Sequence, residues 1–231
     1  MSGTALVTGG TGGLGAAVTR TLLDEGWRVV VPWIDEAERE RLAPVEGLEL
    51  VAADLFEPGE AGRVAELAAG DPDAPLRAVV NLVGGFGMGP KVHEVPVEEF
   101  ERQLRLNLRP TYLTSQAAIP HLIDAGGGAI VCMSSRAAAH PFPGASGYVT
   151  SKSAVLGLVG AMAAEYKRDG IRVNAVLPSI IDTPGNREAM PDSDRSGWVS
   201  PEEIAKVIAF LCGDGSGVVS GAHVPVYGVG S

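Results

Sequence analysis

Apolar residues fall along the chain in short runs, separated by stretches in which they recur every three or four positions. The runs are Thr4–Thr8, Arg28–Trp33, Leu48–Ala53 and Leu76–Val83, rich in Val, Leu and Ala, interrupted inside only by Glu49, Arg77 and Asn81 and without the sustained polar alternation of a half-exposed strand. Such runs predict strands buried on both faces, as in a parallel sheet between two helix layers. The intervening stretches Leu14–Glu25, Glu36–Ala43 and Gly62–Ala69 predict helices, so the first half reads as successive βαβ units.

The pattern continues to the end of the chain. Val97 to Ala125 is one long helical stretch that Pro110 and Pro120 are expected to bend or divide. Ala129–Ser134 predicts a fifth strand, Gly147 to Arg168 a helix, Ile171–Leu177 a sixth strand and Val218–Tyr227 a seventh. Ser200-Pro201-Glu202-Glu203 combines an N-cap serine, a proline at the first helical position and a glutamate that closes a capping box, and opens a helix ending at Cys212. Asp182 to Val199, rich in Pro, Asp, Ser and Gly with Met190 and Trp198 as apolar anchors, is expected to be a mobile lid. No repeat or linker divides the sequence, so residues 1–231 are expected to form one domain.

Composition narrows the partners. Hydrophobic residues make up 45% and charged residues 20%, enough apolar material to fill a core. The 18 basic and 28 acidic residues leave a formal charge of −10, which works against nonspecific attraction to nucleic acid or anionic membrane and favours small-molecule partners. Cys132 and Cys212, the two cysteines, lie in no spacing that suggests a disulfide framework or a zinc site, which suits a reducing, cytoplasmic setting. His93 and His121 read as surface histidines, and no metal is expected. The N-terminus lacks the basic and apolar regions of a secretory signal, and Ala154 to Ala164, the longest apolar run, is too short to cross a bilayer.

Candidate chemistry gathers where strands end. Thr8-Gly9-Gly10-Thr11-Gly12-Gly13-Leu14-Gly15 follows the first strand and opens the first helix. Gly9, Gly13 and Gly15 would allow a tight turn and bring backbone N–H groups close to a pyrophosphate at the positive end of the helix. A glycine turn that binds nothing has the same composition, and without a Gly-Lys-Ser/Thr ending the run is not a P-loop. Tyr148 and Lys152, at i and i+4, share a helix face. A phenol is too weak an acid for proton transfer at neutral pH, and a nearby ammonium favours its ionised form; an exposed tyrosine beside an unrelated lysine gives the same spacing. Ser135 ends the fifth strand, where open α/β sheets bind ligands, and its hydroxyl is suited to polarising a carbonyl. Asn107, in mid-helix, is either a water-holding amide that relays protons to Lys152 or an amide at a helix bend. Arg136, His140 and Phe142, with Phe86 and Met88, are expected at the pocket mouth. There Arg136 either meets an acidic or phosphorylated substrate or is a solvated loop cation.

The ordered set Thr8-Gly9-x-x-x-Gly13-x-Gly15, Asp54-Leu55, Asn81-x-x-Gly84, Asn107, Ser135, Tyr148-x-x-x-Lys152 and Pro178-x-x-x-x-Thr183 resembles the single-domain short-chain dehydrogenases/reductases, over almost the whole chain. The resemblance extends to Arg172-Val173-Asn174-Ala175-Val176 and to the Ser220-Gly221 turn. It implies an α/β fold, a doubly wound Rossmann-type three-layer sandwich with a seven-stranded parallel sheet. It also implies an NAD(P)H-dependent oxidoreductase that moves a hydride between nicotinamide and a small carbonyl or secondary alcohol. On that basis Tyr148 is the general acid/base, Lys152 lowers its pKa and grips the nicotinamide ribose, Ser135 orients the carbonyl, and Asn107 completes a proton relay. The resemblance puts Gly9, Thr11, Gly13, Leu14 and Gly15 around the pyrophosphate and adjoining ribose. It puts Asp54 and Leu55 at the adenine, Asn81, Val83 and Gly84 on the adenosine ribose side, and Ile181 and Thr183 at the carboxamide. It further implies a homotetramer or homodimer, with Val97–Ala125 and Gly147–Arg168 as contact faces.

Three positions depart from the family pattern. Where NAD-using members often carry an aspartate at the end of the second strand, this chain has Trp33, with Asp35 two positions late. No basic residue lies in the glycine run or directly after that strand, while Asp35, Glu36 and Glu38 would repel a 2′-phosphate, so NAD is weakly favoured over NADP; Arg39 reaching back would reverse the preference. The family's Asn-Asn-Ala-Gly stands as Asn81-Leu82-Val83-Gly84, and its Pro-Gly as Pro178-Ser179. Two other functions fit the same scaffold: a nucleotide-sensing or scaffolding protein without turnover, and a lyase or dehalogenase variant.

Overall fold

The computed structural model describes residues 3–228; the first two and last three positions of the expected 1–231 domain lie outside them. Strands β1 (Thr4–Thr8), β2 (Arg28–Trp33), β3 (Leu48–Ala52), β4 (Leu76–Asn81), β5 (Gly128–Met133), β6 (Ile171–Pro178) and β7 (His223–Val226) form one parallel sheet in the order β3-β2-β1-β4-β5-β6-β7. The helices are α1 (Gly15–Asp24), α2 (Glu36–Arg39), α3 (Pro58–Ala69), α4 (Val97–Asp124), α5 (Arg136–Ala139), α6 (Ser146–Glu165), α7 (Pro184–Ala189) and α8 (Pro201–Cys212). This is the doubly wound, three-layer architecture expected from the sequence. No helix among the described residues is long and apolar enough to cross a membrane.

Strand pleating divides the core in two, because successive side chains point to opposite faces. Leu6, Val30, Val79, Ile130 and Val173 pack beneath α3, α4 and α6. Their neighbours Ala5, Val7, Val29, Val31, Val80 and Val131 pack against α1 and α8. The five inner strands, covered on both faces, carry no polar alternation, which is why they read as apolar runs, whereas the edge strands β3 and β7 are only partly buried.

Several elements differ from expectation. The second helix is a single turn, Glu36–Arg39, rather than extending to Ala43; it buries none of its own residues, and Pro44 disfavours helical backbone at Ala43. The third starts at Pro58, four residues before Gly62, with proline in its first turn. Helix α4 runs through Pro110 and Pro120 without division. The Val218–Tyr227 run forms a strand only over His223–Val226, because Gly221 adopts φ +74° in the turn before it. The expected lid contains α7, which Thr183 caps by accepting a hydrogen bond from the Asn186 amide at 3.3 Å. An Ile181–Val199 bridge and two Arg187 to Asp182 hydrogen bonds of 2.6 and 2.8 Å tie down the base of that segment.

Strand order reverses on either side of β1, so the connections leaving β1 and β4 diverge to opposite faces and open a crevice at the carboxyl edge of the sheet. Thr8, Trp33, Asn81, Met133 and Pro178 all end strands at that edge.

Candidate active site

The crevice is a cleft of about 910 Å³ that extends from the glycine turn and Trp33 to Tyr148 and Met190. Its floor is the turn between β1 and α1. Gly9 has φ +65°, and Gly12 donates its N–H to the Gly9 carbonyl at 3.1 Å, closing the turn. A Cβ at Gly15 would press on the Gly9 carbonyl oxygen and lie 2.6 Å from Gly10 Cα, so that position requires glycine. Leu14, the N-cap of α1, offers no side-chain acceptor; the Ala16 and Ala17 N–H groups donate to the Gly12 and Leu14 carbonyls at 2.9 and 3.1 Å, which leaves the N–H groups of Gly13, Leu14 and Gly15, all lining the cleft, as the donors at this end. An anion at that end meets both these donors and the positive pole of the helix. Of the residues expected around a cofactor, Gly9, Thr11, Gly13, Leu14, Gly15, Trp33, Asp54, Leu55, Val83, Gly84, Ile181 and Thr183 all line the cleft.

At the other end, β5, α5 and α6 bring Ser135, Tyr148 and Lys152 together. Ser135 caps α5 by accepting the Ala137 N–H at 3.2 Å, which fixes its hydroxyl at the strand end. That hydroxyl hydrogen-bonds the Tyr148 phenol, an interaction that lowers the phenol's pKa; burial outweighs it and holds Tyr148 above its ordinary value. Phe86 meets the Tyr148 ring edge-on at a centroid distance of 5.1 Å. Lys152 is 4% exposed, and burial lowers its ammonium to about 8. Ser134 anchors this part of α6 by donating its hydroxyl to the Lys152 carbonyl at 2.8 Å.

The Lys152 ammonium donates to the Met133 carbonyl at 3.1 Å. The expected downward pull of this cation on the Tyr148 phenol is therefore not the dominant effect. Each group loses hydration on burial, and each shifts toward its neutral form. The neighbouring Cys132 thiol is pushed up to about 12 by burial, so it is neutral and gives Lys152 no anionic partner at neutral pH.

Two expected site residues stand behind the cleft wall rather than in it. Asn107, fully buried on α4, accepts the Gly85 N–H at 3.0 Å and donates to the carbonyls of Gly85 and Gln103 at 3.1 Å each. Its amide donors are committed to backbone, so it shapes the wall. A Cβ on Gly84 would lie 2.6 Å from Asn107 Oδ1 and 3.0 Å from Lys152 Nζ, which makes this glycine the point where amide and ammonium converge. Asn81 lies opposite Cys132 in the β4–β5 register and turns inward, donating to Ser115 Oγ at 3.1 Å and to Cys132 Sγ at 3.7 Å. It clamps β4 to α4 and β5.

Arg136, His140, Phe142 and Phe86 line the mouth as expected, whereas Met88 is outside the lining and 67% exposed. Phe56 and Asn186, not anticipated, also line the cleft. Each had a local signal: Asp54 accepts the Phe56 N–H at 2.9 Å in an Asx turn, and Thr183-Pro184 is the start of a capped helix. Among the described residues no cluster of His, Cys, Asp or Glu is suited to hold a metal ion.

A family model for short chain dehydrogenases matches residues 3–194. The chain is 31% identical to 2-(R)-hydroxypropyl-CoM dehydrogenase of Xanthobacter autotrophicus, over 99% of this chain and 98% of that one. It is 32% identical to 4-formylbenzenesulfonate dehydrogenase of Comamonas testosteroni, over 97% and 96% respectively. A solved short-chain dehydrogenase/reductase from Mycobacterium ulcerans superposes with a TM-score of 0.89 at 25% identity, covering 97% of this chain and 88% of that one. Fold, cleft and sequence likeness together place this chain in the short-chain dehydrogenase/reductase family of oxidoreductases.

Proposed function

We propose that the cleft binds a nicotinamide dinucleotide and that the protein moves a hydride between it and a small carbonyl or secondary alcohol, with Tyr148 as the general acid/base. The observation that carries this reading is the placement of Tyr148, Ser135 and Lys152 in the same cleft as the glycine turn that opens α1. The residues present fit the cofactor: the start of α1 suits its pyrophosphate, Asp54 and Leu55 its adenine, and Ile181 and Thr183 its carboxamide. When bound, the nicotinamide supplies or accepts the hydride.

The chain's own residues do the rest. Ser135 and Tyr148 both donate hydrogen bonds to the substrate oxygen, which orients the carbonyl and draws charge onto that oxygen. In reduction the Tyr148 hydroxyl gives its proton to the oxygen as negative charge develops there. Lys152, cationic below about pH 8, stabilises the resulting phenolate and reaches the adjoining ribose hydroxyls. Asn107 is a positioning residue that holds Gly84 and Gly85 against the ammonium. Residues 182–199 close over the substrate as a lid. A homodimer or homotetramer would cover α4 and α6, where Tyr112 is 47% exposed.

We place NAD ahead of NADP. Glu38 lines the cleft beyond Trp33, and the two nearby cations are neutralised: Arg39 pairs with Glu36, and Arg41 with Glu38 at 2.9 Å. Arg39 also stacks over the Trp33 ring at 5.4 Å, and Arg41 donates to the Thr11 carbonyl at 3.2 Å. A 2′-phosphate there meets carboxylates before it meets an unpaired guanidinium.

Purified protein is titrated with NADH and NADPH and then given a panel of aldehydes and ketones. Tighter binding of NADH and turnover of at least one carbonyl are expected. Tyr148→Phe should lower turnover by about 10²–10⁴-fold with cofactor affinity near wild type. Wild-type turnover in that variant would remove Tyr148 from the reaction.

A further inference from the structure

We propose that the substrate carries an oxyanion, a carboxylate or sulfonate on a flat apolar body, and that Arg136 binds it; this rests on the carbonyl-reductase reading of the same cleft. Charge in the cleft is divided. Its two acidic lining residues, Glu38 and Asp54, follow β2 and β3 at the adenosine end. The substrate end holds Arg136, next in the chain to Ser135, and no acidic side chain lines it. Among the described residues Arg136 forms no ion pair, although six other arginines do.

The guanidinium is held without being neutralised. Its Cζ lies over the Tyr227 ring, 5.1 Å from the centroid, and His140 meets the same ring at 6.1 Å. A cation–π contact consumes no hydrogen-bond donor, so the guanidinium N–H groups can form the paired hydrogen bonds that match a carboxylate or sulfonate. Around it the mouth is aromatic and half open: Phe86 is 61% exposed and Phe142 40%, with ring centroids 6.3 Å apart. Exposed aromatic rings lining a cleft are covered when a planar apolar ligand enters. An aryl carbonyl with an oxyanion substituent matches this surface. Its carbonyl sits at Ser135 and Tyr148, its ring against Phe86 and Phe142, and its anion on Arg136.

The test compares formylbenzoates and formylbenzenesulfonates, with the anion ortho, meta or para, against the methylbenzaldehydes of the same shape. Wild type should favour the anionic aldehyde of at least one matched pair. In Arg136→Met, whose thioether still packs on Tyr227, the ratio of kcat/KM for that anionic aldehyde over its methyl partner should fall about 10–100-fold. Arg136→Lys, which keeps the charge and loses the fork, should fall between. Carboxylate and sulfonate arms report which anion fits better. A second readout is calorimetric titration of benzoate and benzenesulfonate into wild-type and Arg136→Met protein saturated with oxidised cofactor, where binding should weaken by a similar factor.

A ratio unchanged within about twofold, with aldehydes still reduced, overturns the role of Arg136 and leaves the reductase reading standing. Anion binding that depends on Arg136 without reduction of any aldehyde supports the anion site and sinks the reductase reading. Neither binding nor turnover overturns both.

Discussion

Gly15→Ala is the sharpest perturbation of the cofactor turn. The added Cβ would lie on the Gly9 carbonyl oxygen, 2.6 Å from Gly10 Cα and 2.7 Å from Gly9 C, where ordinary carbon contacts are about 3.5–4.0 Å. All three obstacles are backbone, so no rotamer change relieves the clash, and α1 must move away from the turn by about an ångström. Overpacking of this kind costs about 1–3 kcal/mol, and displacing Gly9 breaks the bond its carbonyl accepts from Gly12, worth about 1 kcal/mol. A total of about 2–4 kcal/mol corresponds to a fall in Tm of roughly 4–16 °C for a chain of this size. The same shift carries the N–H groups at the start of α1 away from the site proposed for the pyrophosphate, and cofactor affinity should fall at least about tenfold. Gly12→Ala is the control, because its Cβ has one near neighbour, the Gly9 oxygen at 3.3 Å. Thermal melts and cofactor titrations of both variants decide the matter: Gly15→Ala with wild-type Tm and wild-type cofactor affinity would refute the steric argument.

Lys152 opposes folding. Its ammonium falls from an ordinary 10.5 to about 8 in the fold, so the penalty is complete below pH 8, shrinks between pH 8 and 10.5, and vanishes above. That fall is worth roughly 3 kcal/mol, and the Met133 hydrogen bond returns about 1, so Lys152→Met should be more stable by about 2 kcal/mol at pH 7. Urea melts should show the gap closing toward pH 10; an equal gap at both pH values contradicts the account. Arg172 donates to the carbonyls of Leu211, Cys212 and Gly213 at the end of α8 and to Ser216 Oγ, over 2.6–3.2 Å. Arg172→Met should cost about 2–4 kcal/mol in the same melts, with cofactor affinity retained because Arg172 lies at the opposite edge of the sheet from the cleft; loss of affinity without loss of stability would speak against this. Gly62→Ala on α3, where an added Cβ meets nothing within 4 Å, should stabilise by about 0.5–1 kcal/mol in thermal melts, and a lowered Tm would show a contact missed.

How much of this was legible in the sequence depends on the range of the forces involved. The strands were legible because burial on both faces leaves an apolar run that needs no knowledge of its partners. The end of α2 was not, because a surface turn that buries nothing has no apolar period to mark where it stops. Tyr148 and Lys152 were legible as a pair because helical spacing is local. The inward turn of Asn81 was not, since its facing is set by the register of β4 on β5 and by Ser115 of α4, 34 positions away. Arg136 could be placed at the mouth from its position after Ser135, but its contact with Tyr227 joins residues 91 positions apart in the chain and leaves no trace in either neighbourhood.

The proton distribution within the pair shows the same limit. Spacing predicted a cation near a phenol, and hence an acidified tyrosine. The Lys152 partner turned out to be the Met133 carbonyl, a main-chain acceptor that every residue possesses and no sequence motif announces. Burial then raises the phenol and lowers the ammonium, so their ordinary order of acidity is inverted, and at neutral pH tyrosine holds its proton while lysine holds its charge. That protonation state suits the proposed reduction, in which the phenol gives a proton and the cation gains an anionic partner only once the proton has left. A tyrosine already ionised by its neighbour could not serve as the acid. Under that proposal part of the cost of burying Lys152 would be recovered as the phenolate forms, when charge attraction in a site of low polarity is strongest.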